Sequence, residues 1–251
     1  TREGMWADSR EALQPLCLER CERVLDAGAG TGELTAVLRE ETHEEVVALD
    51  ADAGLLKATA GPRVRGDATQ LPFPDDSFDL VVCQALLVNL LDPVAAVREF
   101  VRVSRGRVAA IEPDNSAVTI DSTVEAEGAL ARRARERYLA GVSTDASLGA
   151  AQELFGEAGL SSVEVRDYDH ERVIAPPYSE RALTAAKRKT TGKSIASDRE
   201  TMLVGDTTPE EYDALRQAWR KVGRAAVKQM QDNEYRRREV VPFYVTVGSV
   251  M

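Results

Sequence analysis

The sequence predicts an α/β fold built on an open, mostly parallel sheet, and three observations carry that prediction. Apolar runs recur along the first half: Val24-Leu25 leading into Asp26, Val46-Val47-Ala48-Leu49 ending at Asp50, Asp79-Leu80-Val81-Val82-Cys83, and Arg107-Val108-Ala109-Ala110-Ile111. These runs are apolar throughout rather than alternating, as strands covered on both faces must be. The intervening stretches have helical periodicity, with Leu34, Val37 and Leu38 after the first run and Val94, Val97 and Val101 before the last. Strand, helix and strand in that succession give crossover units and parallel pairing.

The second half is less regular. A helix is expected over roughly Ser122 to Ala140, and another over Leu148 to Ala158, stopped by Gly159. Val163 to Ile174 and Phe243 to Val250 alternate enough to form two more strands, an antiparallel pair at the sheet edge. The stretch between them is mostly helical, with loops at Thr190–Gly192 and Gly205–Pro209. Thr208-Pro209-Glu210-Glu211 has the form of a helix start: a hydroxyl cap, proline in the first turn, and acids facing the dipole. A connection this long without structure does not suit a compact domain, so it reads as an inserted helical subdomain. The expected organisation is one domain over 1–251, with a core near 20–115, 148–175 and 240–251 and a helical cap near 116–147 and 176–239.

Composition narrows the functional classes. In 251 residues, 43% are hydrophobic and 29% charged, which excludes collagen-like, disordered and disulfide-scaffold chains. No apolar run approaches the roughly 20 residues of a membrane helix, and the charged start shows no secretory leader. Three cysteines, Cys17, Cys21 and Cys83, cannot all pair, so reduced thiols and a cytoplasmic location are expected, with no metal site. The net charge of -10 disfavours a surface that grips nucleic acid throughout. It is compatible with salt adaptation or with genome composition alone. The charge is uneven: Tyr178 to Glu239 carries 14 basic and 10 acidic side chains, and five of the six lysines.

The strongest local signal is Val24-Leu25-Asp26-Ala27-Gly28-Ala29-Gly30-Thr31-Gly32-Glu33. A strand breaking into Gly-x-Gly-x-Gly and then a helix brings bare backbone against a ligand at a helix N-terminus. The dinucleotide fingerprint places its third glycine three residues after the second, where Glu33 stands, and an acid there repels a pyrophosphate. Nicotinamide or flavin binding is therefore the weaker reading, though a nicotinamide dehydrogenase stays open.

Asp26 to Gly32 resembles the first motif of the class I S-adenosylmethionine (SAM) dependent methyltransferases. The similarity continues through Gly66-Asp67-Ala68-Thr69-Gln70-Leu71-Pro72-Phe73-Pro74-Asp75-Asp76-Ser77-Phe78-Asp79-Leu80-Val81-Val82, much as in the branch acting on small molecules and quinone precursors, the type 11 methyltransferases. It covers roughly residues 20 to 115. The resemblance implies a Rossmann-like, doubly wound, mostly parallel seven-stranded sheet with an antiparallel last strand. It implies SAM as cofactor and S-adenosylhomocysteine as product. The cofactor would contact Asp26, Gly28, Ala29, Gly30 and Gly32, with Asp26 organising the turn. Asp50 would accept the ribose hydroxyls, Ala51 would pack on the adenine, and Asp67 with the Ala68 backbone would hold its amino group. Gln84 would lie at the methionine end.

Methyl transfer is an in-line displacement, so the protein mainly aligns nucleophile, methyl and sulfur, and a base is needed only for a protonated nucleophile. Cys83-Gln84-Ala85-Leu86 lacks the Asn/Asp-Pro-Pro-aromatic sequence of enzymes acting on exocyclic nitrogens, and Cys83 follows Val82 rather than a proline, unlike a cytosine C5 nucleophile. Where the resembling branch often has a histidine, this chain has Asn89. The catalytic candidates are therefore Glu112, at the end of the last parallel run, and His170. Asn89, Asp114, Tyr138 and Tyr178 are candidates for contact with the acceptor. The reading is a SAM-dependent methyltransferase acting on a small molecule under a helical lid. An RNA or protein methyltransferase using the basic cap, and a SAM-binding regulator without turnover, are the alternatives.

Overall fold

The computed structural model describes residues 4–7 and 9–251. In chain order the elements are β1 (Arg23–Ala27), α1 (Glu33–Thr42), β2 (Glu45–Asp50), α2 (Ala53–Leu56), β3 (Arg63–Arg65), β4 (Phe78–Gln84), α3 (Pro93–Val103) and β5 (Ser104–Pro113). There follow β6 (Thr119–Ser122), α4 (Ala126–Ala140), α5 (Gln152–Glu157), β7 (Ser161–Ile174), α6 (Glu180–Thr191), α7 (Arg199–Val204), α8 (Pro209–Gln231) and β8 (Arg237–Ser249). They form two compact units, one of Thr1–Asp114, Ser147–Tyr168 and Pro242–Met251, the other of Asn115–Ala146 and Asp169–Val241.

In the first unit the strands run β3-β2-β1-β4-β5, all parallel, and the last part of β8 pairs antiparallel with β5, Ile111 opposite Val245. The four apolar runs supply the parallel strands β1, β2, β4 and β5, and the antiparallel β8 completes the Rossmann-like mixed sheet that the resemblance implied. Val24, Leu25, Leu80, Val81, Val82, Val108 and Ile111 are all fully buried. Each such side chain contributes roughly 1.5–3 kcal/mol by leaving water. α3 buries Ala96, Val97, Phe100 and Val103 in a cluster with Leu25, Val81, Val108 and Phe155, while α1 buries Leu34, Val37 and Leu38. The chain winds outward from β1 to β3 and returns to β4 on the other side of β1. That reversal is a topological switch point, where open α/β sheets bind ligands beyond the carboxyl ends of the strands.

The second unit is mostly helical. α4, α6, α7 and α8 enclose their own core, with Leu130, Ala186, Met202, Leu215, Trp219 and Tyr235 buried. Its short β-pairing joins Thr119–Ser122 of β6 to Arg237–Val240 of β8. Thr208 starts α8 with a complete capping box: its hydroxyl accepts from the Glu211 amide, and the Glu211 carboxylate accepts from the Thr208 amide.

Three expectations change. Eight strands are present among the described residues rather than seven, and neither β3 nor β6 is among the runs read from the sequence. β8 begins at Arg237 rather than Phe243, because Arg237 is half-buried in ion pairs with Glu127 and Glu239. α5 is shorter than the Leu148–Ala158 helix expected, starting only at Gln152. Among the described residues no helix is long and apolar enough to cross a membrane.

Candidate functional site

β1 ends in the glycine turn, and Gly28, Gly30 and Gly32 have φ of 73°, 58° and 87°. Left-handed backbone there costs other L-residues roughly 1–2 kcal/mol each. Space is short as well: a Cβ on Gly28 would meet Leu86 at 2.8 Å, and one on Gly32 would meet the Thr59 hydroxyl at 2.6 Å. The turn is pinned to β2, since the Gly28 and Ala29 amides both donate to the Leu49 carbonyl, at 2.8 and 2.9 Å.

Asp50 fixes the same turn from the end of β2. Its Oδ2 accepts from the Gly30 amide at 2.8 Å and its Oδ1 from the Asp52 amide at 2.8 Å. A carboxylate has about four acceptor positions, so each oxygen keeps one for a further donor. Asp26 is buried, and Thr35 donates its hydroxyl to Asp26 Oδ2 at 2.5 Å, tying the turn to α1.

Asp67 follows β3. The amide and hydroxyl of Thr69 both donate to its Oδ1 at 2.8 Å, and these bonds hold its carboxyl below the usual range. Its exposed Oδ2 has no partner among the described residues. Ala68 is buried and Ala51 exposed, the Ala51 carbonyl accepting from Arg65 Nε at 3.2 Å.

Gln84 ends β4 and is buried. Its Oε1 accepts from Trp6 Nε1 at 3.1 Å, and its Nε2 donates to Met5 Sδ at 3.2 Å. The Trp6 ring stacks on Tyr168 with centroids 4.9 Å apart, and the Tyr168 hydroxyl donates to the Met5 carbonyl. Sequence reasoning missed Met5, Trp6 and Tyr168. No local pattern marks a contact between positions so far apart in the chain.

Glu112, on β5, is fully buried. Its Oε1 accepts from the amides of Leu86 and Leu87 at 3.0 and 2.9 Å, and its Oε2 from that of Val88 at 3.3 Å. Burial pushes its carboxyl up to about 7, against the pull of those three amides. The carboxylate is thus enclosed and occupied, and it anchors the turn after β4 on which Asn89 sits exposed, donating to the Ala85 carbonyl at 2.9 Å. Cys83 is also fully buried, and burial with the nearby Glu112 charge holds its thiol protonated.

Five neighbouring strands therefore each deliver one part at their carboxyl ends: Asp67 after β3, Asp50 on β2, the glycine turn after β1, Gln84 on β4 and Glu112 on β5. Asp114 lies just beyond β5, half-buried. His170, Tyr138 and Tyr178 belong to the second unit. There His170 is buried, and burial followed by the Arg172 charge lowers its pKa. The Tyr178 hydroxyl donates to the Tyr235 carbonyl at 3.0 Å, and Tyr138 is exposed near the end of α4. Among the described residues no three His, Cys, Asp or Glu side chains are grouped to hold a metal ion.

Residues 25–110 match the family described as methyltransferase domain. The demethylmenaquinone methyltransferase of Mycolicibacterium paratuberculosis is 40% identical over 111 residues, which are 42% of this chain and 48% of that protein. The chain thus spans about half the length of the curated relatives it matches. Among solved structures, the YcgJ protein of Bacillus subtilis covers 94% of this chain and 97% of its own, with a TM-score of 0.52 and 18% identity. The phosphoethanolamine N-methyltransferase 2 of Haemonchus contortus, solved with phosphomonomethylethanolamine and S-adenosylhomocysteine, has a TM-score of 0.50 at 18% identity, over 94% of this chain and 52% of that one.

Proposed function

We propose, from the match of residues 25–110 to the methyltransferase-domain family, that the chain binds S-adenosylmethionine at the carboxyl edge of the first unit's sheet and transfers its methyl group to a small molecule. The observation that supports this most is the glycine turn at the switch point, with the Gly30 amide tied to a carboxylate that keeps open acceptor positions. A cofactor with a ribose, an adenine and no phosphate needs bare backbone, a carboxylate for the hydroxyls and another for the adenine amine. The first unit offers those groups on adjacent strands.

Asp50 would accept the ribose hydroxyls on its remaining acceptor positions, and Asp67 the adenine amino group on Oδ2, with Ala51 and Ala68 against the ring. The close-packed Gly28, Ala29, Gly30 and Gly32 would face the amino-acid and ribose portions. Asp26 acts one step back, holding the turn through Thr35. Gln84 would lie at the methionine end. The bound cofactor supplies an electrophilic methyl group on a sulfonium, and alignment of the acceptor with it is the protein's main task.

Glu112 is a positioning residue in this account, because its oxygens already hold the amides of residues 86–88. His170 is the candidate base for an acceptor that carries a proton. Its lowered pKa keeps the imidazole neutral at pH 7, the form that accepts a proton. Asn89, Asp114, Tyr138 and Tyr178 are the residues to examine for contact with the acceptor, Tyr178 through its ring, since its hydroxyl is engaged.

The name of the mycobacterial relatives makes a quinone precursor the first acceptor to try. Incubation with tritiated SAM and a panel of quinol, amine and hydroxyl acceptors should label one class, and Asp50→Ala should lose at least tenfold in kcat/KM while keeping its circular dichroism. A wild type that labels nothing, or an Asp50→Ala as active as wild type, would overturn the assignment.

A further inference from the structure

The second unit contains a cavity of about 740 Å³ between α4 and α8. It exists because small side chains stand where the helices part: Ala126 and Ala129 on α4 and Ala218 on α8, above the buried Leu130 and Val222. Its rim is basic. Arg132, Arg133 and Lys221 line it, with Glu136 the one acid among the lining residues. Glu136 is taken up by Arg132 at 3.9 Å, so Arg133 and Lys221 have no ion-pair partner among the described residues. The surrounding helix adds to this, since α8 from Ala214 to Gln231 carries five cations and no acid.

An apolar recess with an uncompensated basic rim selects a ligand that is apolar at one end and anionic at the other. Its volume lies in the roughly 300–1,000 Å³ range of small-molecule sites. Free phosphate would leave the apolar floor unused. We propose that the α4–α8 cavity binds a single-chain anionic amphiphile, its carboxylate or phosphate on Arg133 and Lys221 and its chain along Ala129, Leu130, Ala218 and Val222. The proposal is independent of methyl transfer.

Calorimetry of the full chain with dodecanoate, kept below its micelle concentration, tests it, with dodecanol and inorganic phosphate as comparisons. Dodecanoate should bind saturably at one site, dodecanol more weakly and phosphate not at all. Arg133→Gln/Lys221→Gln should weaken dodecanoate about tenfold or more, as loss of charged hydrogen-bond partners does. Ala129→Leu should crowd the apolar floor and weaken dodecanoate, and thermal unfolding of each variant would establish that it is folded. The proposal is overturned if dodecanoate fails to saturate, if both variants bind it as wild type does, or if dodecanol binds equally well. Sedimentation with phosphatidylglycerol vesicles without uptake of monomeric dodecanoate would also overturn it, by assigning the basic rim to a membrane surface.

Discussion

Glu112 shows how far one residue's surroundings can alter its role. It stands at the end of a strand, where ligands of open sheets bind, and so reads in the sequence as a base. Burial instead raises its pKa from 4.5 to about 7, and three backbone amides engage both of its oxygens. Between those two values the folded chain holds a proton that the unfolded chain has released. Glu112 therefore contributes stability below about pH 4.5 that is lost as pH rises toward 7, at up to about 1.4 kcal/mol per pH unit. Urea unfolding at pH 5 and pH 7 should show Glu112→Gln gaining on wild type as pH rises, and a constant gap between the two would contradict this. Trp6 gives a second test at this scale. Its indole donates to Gln84, so in a Trp219→Phe background its fluorescence should change when S-adenosylhomocysteine is added. Neither contact was legible beforehand, because burial and distant hydrogen bonds leave no local pattern.

At the scale of elements, caps were the most legible feature. Thr208 caps α8 as the residue order implied, Glu211 completing a capping box, and Thr208→Ala should lower stability by about 1 kcal/mol in urea unfolding. The start of β8 was not legible, since Arg236-Arg237-Arg238 reads as solvated charge. Arg237 enters the strand because Glu127 and Glu239 neutralise it, while Lys189, Ser122 and Tyr235 also bond to Glu127. Burial alone would raise the Glu127 pKa, but Lys189 and those hydrogen bonds outweigh it and lower it. Glu127→Ala would leave the largely enclosed Lys189 and Arg237 without that partner, at a cost of about 3–5 kcal/mol. An unfolding free energy within 1 kcal/mol of wild type would show the cluster to be far more hydrated than its burial implies.

For the whole molecule, the parallel sheet was readable because strands covered on both faces must be apolar at every position. The strand count was not, because β6 is polar and pairs with the charged start of β8. Net charge sharpens in the same way. The second unit carries 19 basic and 17 acidic side chains, +2, and the first carries 13 and 25, -12. The proposed cofactor site thus lies in the acidic unit, which suits a sulfonium better than a pyrophosphate. Calorimetric titration with S-adenosylhomocysteine tests that assignment most directly. Saturable binding is expected at one site per chain, weakened at least tenfold by Asp50→Ala, with no binding of a nicotinamide dinucleotide. Wild type that fails to bind S-adenosylhomocysteine, or Asp50→Ala that binds it equally well, would contradict it.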